Sequence, residues 1–272
     1  MIRANYHTHT TLCDGKDTPA AMAEAARRLG FEALGFSGHM DDTYHMDFPR
    51  YLETIADLRA QYAGELDILC GVELDQRWDP ATVRGAEYVI GSTHFLTAPN
   101  GLTDAVDWEA EHSETLCREG FGGDWYRMCA AYYEEEAGVL ERTRCDIVGH
   151  FDLIARFNHA CPAFDEEDPR YLGPAREAME HLLRQGAVFE INTGALNRGR
   201  RREAYPALPL LRILRELGGE IILSSDAHQA ALLDGAFPQA EAAALACGFT
   251  HALVLRHNAA GDVAWEERGL GA

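Results

Sequence analysis

Seven short apolar runs recur along this chain of 272 residues, and nearly all of them close on a residue able to ligate a metal. They cover residues 5–10, 31–39, 66–73, 88–94, 146–150, 187–192 and 220–225. Helical patterns stand between or after them. The first is typical: Thr18 suits an N-cap, Pro19 the first helical position, Met22, Ala25, Ala26 and Leu29 one buried face, and Gly30 a stop. Further helices are expected over 49–62, 124–142, 168–185, 208–217 and 238–247. Strand–helix alternation of this kind argues for a parallel sheet. Seven strands with polar ends predict an α/β fold, a closed or nearly closed barrel.

One stretch breaks the rhythm. Residues 95–123 are acidic, carry Gly101, Gly120, Gly122 and Gly123, and are too long for a routine connection. A lid or wall of a site is the expectation, with 41–48 as a shorter candidate. No repeat, low-complexity tract or linker divides the chain, so residues 1–272 are read as one domain.

Charge limits the partners. With 44 acidic and 24 basic residues the formal net charge is −20, which repels a nucleic-acid backbone. A small anionic substrate stays compatible if metal ions or a few arginines reverse the sign locally. Seven cysteines show no CxxC and no regular spacing. Reduced thiols in a cytoplasmic protein are expected, with no signal region and no membrane span. Oligomeric state is not legible.

His7-Thr8-His9 lies at the end of the first run. Residues two apart on a strand share a face, so both imidazoles can converge on one ion. The same logic extends to His39, Glu73, His94, His150, Asp226 and His228, each at or just beyond a strand's C-terminal end. In an α/β barrel those ends form one face, where active sites sit. Histidines 112, 159, 181, 251 and 257 fall in helices, loops or the tail and are read as ordinary; His45 lies in the short loop beside the site.

His7-Thr8-His9, Cys13-Asp14-Gly15, Gly38-His39, Gly71-Val72-Glu73, Ser92-Thr93-His94, Gly149-His150 and Ser225-Asp226-Ala227-His228 resemble the ordered motifs of the PHP (polymerase and histidinol phosphatase) superfamily. Residues 149–154 and 190–194 are similar to segments of its monofunctional histidinol-phosphate phosphatases. The resemblance implies a distorted (β/α)7 barrel holding three divalent ions, Mn, Fe or Zn. By the same resemblance His7, His9, Glu73 and Asp226 hold the first ion, and Glu73 bridges to a second held by His94 and His150. Asp14, His39 and His228 hold the third. Many relatives have histidine where this chain has Asp14, and a carboxylate shifts preference toward Mn²⁺ or Fe²⁺. A plain Asp-Gly turn is the alternative reading of Asp14.

This ligand set suits phosphate ester hydrolysis. Ions roughly 3.5–4 Å apart share a hydroxide and hold the attacking and leaving oxygens. Six neutral imidazoles and three carboxylates around three divalent ions leave about +3, enough to draw an anionic phosphate. The sequence has no GxSxG, GxGxxG or P-loop, so a metal-activated hydroxide is the best nucleophile. Glu73 and Asp226 are the candidate catalytic carboxylates, Asp226 or a metal-held water returning the proton to the leaving group. Arg156 and Arg198 follow strand ends and are candidate phosphate ligands; Arg200, Arg201 and Arg202 are read as solvated. The expected reaction is hydrolysis of L-histidinol phosphate to L-histidinol and phosphate. Alternatives are a phosphoesterase for nucleotides or other small phosphoesters, and a non-catalytic metal-binding regulatory module.

Overall fold

The computed structural model describes every residue except Asp42, His45 and Ala272, so His45 lies outside the described residues. Strand β1 (Ala4–Asn5) leads through α1 (Pro19–Arg28) to β2 (Ala33–Phe36) and β3 (His39–Met40). Helix α2 (Phe48–Gln61) returns the chain to β4 (Asp67–Asp75), and a single 3-10 turn leads into β5 (Tyr88–Ser92). A hairpin of β6 (Phe95–Thr97) and β7 (Thr103–Ala105) follows, then α3 (Ala110–Gly120), α4 (Trp125–Ala137) and α5 (Val139–Thr143). Next come β8 (Ile147–Val148), α6 (Pro169–Arg184), β9 (Val188–Asn192), α7 (Gly194–Asn197), α8 (Leu208–Glu216) and β10 (Glu220–Ser224). Helix α9 (Phe237–Ala246) precedes a terminal antiparallel hairpin, β11 (His251–His257) and β12 (Val263–Gly269).

Parallel pairing runs β1-β2-β4-β5-β8-β9-β10, with β3 as a further parallel partner of β4. The ring closes through a parallel bridge between Thr8 and Ala227, where His9 N donates to Ala227 O at 2.9 Å. This is the expected distorted (β/α)7 barrel, distorted because one crossover has no α-helix and another carries three. Side-chain caps set the helix starts: Thr18 accepts from Ala21 N, Asp47 from Arg50 N, and Asp124 from Arg127 N. Buried Tyr88 spans the floor, its hydroxyl 2.5 Å from Tyr6 O and 3.0 Å from Phe36 O. A Cβ on Gly71 would stand 2.1 Å from that ring, so glycine is required beneath Glu73.

Several boundaries differ from expectation. The first run is a strand only at Ala4–Asn5. Beyond it, side chains supplement the backbone bonds to Ser37 and Ala227: Asn5 Oδ1 accepts from His7 N at 3.2 Å and Ser37 Oγ from Thr8 N at 3.0 Å. The run 31–39 divides into β2 and β3, and 124–142 divides into α4 and α5 at Gly138. The terminal hairpin has no counterpart in the sequence reading. It is fastened to the barrel by Tyr6, whose hydroxyl donates to Leu255 O and accepts from Leu255 N, both at 2.8 Å. Among the described residues no helix is long and apolar enough to cross a membrane. All seven cysteines are free; four are buried, and Cys161 is exposed.

Candidate metal centre and active site

All nine ligand-type residues singled out in the sequence meet at the C-terminal mouth of the barrel. Four groups with mutually close ligand atoms form there: His9–Asp14–His39–His228, His7–His9–Asp226, His7–Glu73–His150 and His39–Glu73–His94. Glu73, near the end of β4, is the hub, and its two oxygens face different sets. Oε1 lies 2.8 Å from His150 Nε2 and 3.2 Å from His94 Nε2, and accepts from Ser92 Oγ at 2.8 Å. Oε2 lies 3.0 Å from His39 Nδ1, 3.1 Å from His7 Nε2 and 3.4 Å from His9 Nε2.

Asp14 Oδ2 lies 3.0 Å from His228 Nε2 and 3.8 Å from His39 Nε2, and its Oδ1 lies 3.4 Å from His9 Nδ1. Gly15 serves the same approach, since a Cβ there would collide with Thr10 N at 2.4 Å. The turn and the inward carboxylate coexist. Asp226 sits in the left-handed region, φ 48°, a conformation costly for a non-glycine residue and frequent at functional sites. Its Oδ1 reaches to 3.4 Å from both His9 Nε2 and His228 Nδ1.

Burial pushes the Glu73 carboxyl upward, but the imidazoles of His39, His7 and His94 outweigh it and hold the group well below the ordinary range. Asp226 is likewise buried, and Arg198 and His7 hold it well below the carboxylate norm. Burial and the charges of His228 and His39 lower His9. His7 Nε2, His9 Nε2 and Glu73 Oε2 are buried with no hydrogen-bond partner. Lone pairs facing one another in a dry interior are costly unless a cation stands among them. The donor set of imidazole and carboxylate matches Zn, Mn or Fe, so the residues fit divalent ions.

The sequence reading missed a supporting layer. Buried Glu190 on β9 accepts from His7 Nδ1 at 2.7 Å, which presents His7 Nε2 to the cluster. It also accepts from His150 N and Asn192 Nδ2, both at 3.0 Å. Asp75 accepts from His94 N at 3.0 Å and lies 3.4 Å from its Nδ1. Asp75 had a signal: two residues past Glu73, it shares that strand face. Glu190 had a weaker one, a carboxylate inside the apolar run Val188-Phe189-Glu190-Ile191.

A cavity of about 620 Å³ opens over the cluster. Arg156 and Arg198 both line it, and in each the Nε is buried without a partner. Arg198 is pinned: Nη1 donates to Asp226 O at 2.8 Å and Nη2 to Asp226 Oδ2 at 3.1 Å. Gly194 makes room for that contact, since a Cβ would lie 2.8 Å from both Arg198 Nη2 and Asp226 Oδ2. One of the three arginines read as solvated is not so placed. Arg201 is buried, donating to Ala155 O at 2.5 Å and Glu166 Oε2 at 3.0 Å, whereas Arg200 is exposed at the edge of the cavity. From the 95–123 stretch, Phe95, Asp107 and Trp108 form part of the wall.

Residues 5–194 match the PHP domain family. The matched span ends before Asp226 and His228, which the fold nonetheless returns to the cluster. A protein of Deinococcus radiodurans named "probable histidinol-phosphatase" is 33% identical over 242 residues, 82% of this chain and 85% of that protein. The histidinol-phosphatase of Bacillus subtilis is 25% identical over 260 residues, 85% of this chain and 95% of that one. Among solved structures, histidinol phosphate phosphatase from Lactococcus lactis, complexed with zinc, L-histidinol and phosphate, superposes with a TM-score of 0.74. Its identity is 19%, covering 93% of this chain and 97% of that one, a likeness of fold.

Proposed function

Since this chain belongs to the PHP family, we propose that it is a metal-dependent phosphomonoesterase that hydrolyses L-histidinol phosphate to L-histidinol and phosphate. The observation that carries this reading is the convergence of six imidazoles and three carboxylates under a cavity lined by Arg156 and Arg198. In this proposal His7, His9, Glu73 and Asp226 hold one ion, Glu73 with His94 and His150 a second, and Asp14, His39 and His228 a third. Divalent ions bound there supply charge stabilisation at phosphorus and acidify a water for attack.

The chain's own groups do the rest. Glu190 fixes the ring of His7 by a hydrogen bond, so its Nε2 is oriented before any ion arrives, and Asp75 stands 3.4 Å from His94 Nδ1 on the side away from Glu73. Arg156 presents the planar fork of its guanidinium toward the phosphoryl oxygens. Arg198 holds Asp226 by two hydrogen bonds, leaving Oδ1 directed at the cluster. As water attacks phosphorus and the P–O bond breaks, the proton it loses goes to the leaving alkoxide, with Asp226 or a second water as its carrier.

Phosphate release from histidinol phosphate, mononucleotides and an aryl phosphate tests the assignment. A kcat/KM for histidinol phosphate at least tenfold above the aryl ester is expected, on the discrimination a polar substrate group allows (roughly ten- to a hundredfold or more). Equal rates would refute the substrate. Metal binding without turnover of any ester would leave a regulatory module.

A further inference from the structure

Five carboxylates line the cavity, Asp14, Asp41, Glu73, Asp107 and Asp226. Asp14, Glu73 and Asp226 face the imidazole cluster. Asp41 is committed to its own loop, its Oδ1 accepting from Thr43 N and Tyr44 N, both at 2.6 Å. Its Oδ2 stands 3.5 Å from His39 Nδ1. Asp107 is different. Its ion-pair contact is a 3.7 Å approach to Arg156 Nη1, beyond hydrogen-bond length. Beside it Trp108 is 51% exposed, the most exposed large apolar side chain among the described residues. The indole stands edge-on to Phe95 and His112, with ring centroids 6.4 and 5.6 Å away, and lines the same cavity.

Resting on the proposed activity, we infer that Asp107 and Trp108 form the subsite for the cationic, aromatic end of the substrate. Asp107 pairs with the primary ammonium and Trp108 covers the imidazole. The chemistry of the ester dictates this arrangement. In histidinol phosphate the ammonium sits on the carbon next to the ester-bearing carbon, so its counter-charge has to stand beside the phosphate-binding cations. Asp107 stands beside Arg156. The ring hangs from that same carbon by a methylene, so its cover has to adjoin the carboxylate. Trp108 adjoins Asp107 in the chain, and an indole face is the best partner for a cationic or electron-poor ring. Both residues belong to the stretch between β5 and β8, where loops tune specificity without altering the ligands at strand ends.

The test compares histidinol phosphate with its analogue carrying hydrogen in place of the amino group, and with an aryl phosphate. Wild type should prefer histidinol phosphate over the des-amino analogue. Asp107→Asn should cut that preference, read as a ratio of kcat/KM values, by about tenfold to a hundredfold, the range for a charge-assisted hydrogen bond. Trp108→Ala should lower kcat/KM for both imidazole-bearing esters relative to the aryl ester. An Asp107→Asn enzyme that keeps the wild-type preference overturns the inference, because Asp107 would then act only through Arg156. A wild-type enzyme with no preference for histidinol phosphate over the aryl ester overturns the substrate assignment itself, which is a separate result.

Discussion

Replacing Glu73 with glutamine tests the centre at its hub. The side chain keeps its volume, so packing is preserved, but one oxygen becomes an NH₂ whichever way the amide settles. If Oε1 is replaced, donor hydrogens face His94 and His150, 3.2 and 2.8 Å away; if Oε2, they face His39, His7 and His9 within 3.4 Å. Either way an imidazole lone pair is occupied and one of three cluster carboxylate charges disappears. A unit charge pair at 4 Å with an effective dielectric near 20 is worth about 4 kcal/mol, so one ion should bind about 10³-fold more weakly. We expect Glu73→Gln to lose at least one metal equivalent by elemental analysis, with kcat down by about 10³-fold or more. Circular dichroism should show the fold retained. Full metal content with near-normal turnover would refute the bridging role and the charge argument behind it.

Asp14→Ala should lower metal content by about one ion on the ligand-count argument, with the fold intact; unchanged metal content would return Asp14 to a simple turn residue. Arg156→Lys should raise KM for histidinol phosphate by about tenfold through loss of paired hydrogen bonds, without loss of metal. In contrast, Arg198→Lys should raise KM and also disturb Asp226, since Arg198 donates to its carbonyl at 2.8 Å and its carboxylate at 3.1 Å; identical behaviour of the two variants would argue against the distinction. His257 clips the terminal hairpin to the barrel, its Nδ1 2.6 Å from Asp67 Oδ1 and its Nε2 3.0 Å from Glu87 Oε1. Burial lowers its pKa, but Asp67 and Glu87 raise it above the ordinary value. The protonated ring therefore contributes stability that is fully present below about pH 6.5 and is lost as pH rises through the raised folded pKa. The difference in Tm between metal-loaded wild type and His257→Asn should narrow over that rise; a constant difference would show that charge plays no part.

The convergence of the nine ligand-type residues was legible because barrel geometry converts a linear property into a spatial one. A polar residue at the C-terminal end of each strand arrives at the same mouth whatever the helices between do. Residues whose partners are distant in sequence were not legible. Arg201 reads as one of three loop arginines, yet it is buried beside Asp152, 3.7 Å away, and Glu166, 3.0 Å away. Nothing local to 200–202 distinguishes it. The hairpin β11–β12 escaped notice because its contacts, to Tyr6 and Asp67, lie about as far back along the chain as contacts can. Residues 95–123 declared their irregularity, but only the fold shows which of them turn toward the cavity.

The acidity of the chain has a consequence for the order of events. Lys16, Arg156, Arg198 and Arg200 line the cavity against five carboxylates, so with the ligand imidazoles neutral, as coordination requires, its side chains leave one net negative charge. A phosphate dianion approaching a chain of net charge −20 meets repulsion outside and no compensation within. In the proposed three-ion state the interior balance would become about +5 while the surface stayed as it was. Two arginines alone do not suffice, because Arg198 is already spent on Asp226 and Arg156 stands near Asp107. On that proposal the ions load before the ester. The same sum explains why Asp107 is tolerable beside the phosphate subsite: in a cavity turned strongly positive, a lone carboxylate selects an ammonium-bearing ester without expelling its phosphate.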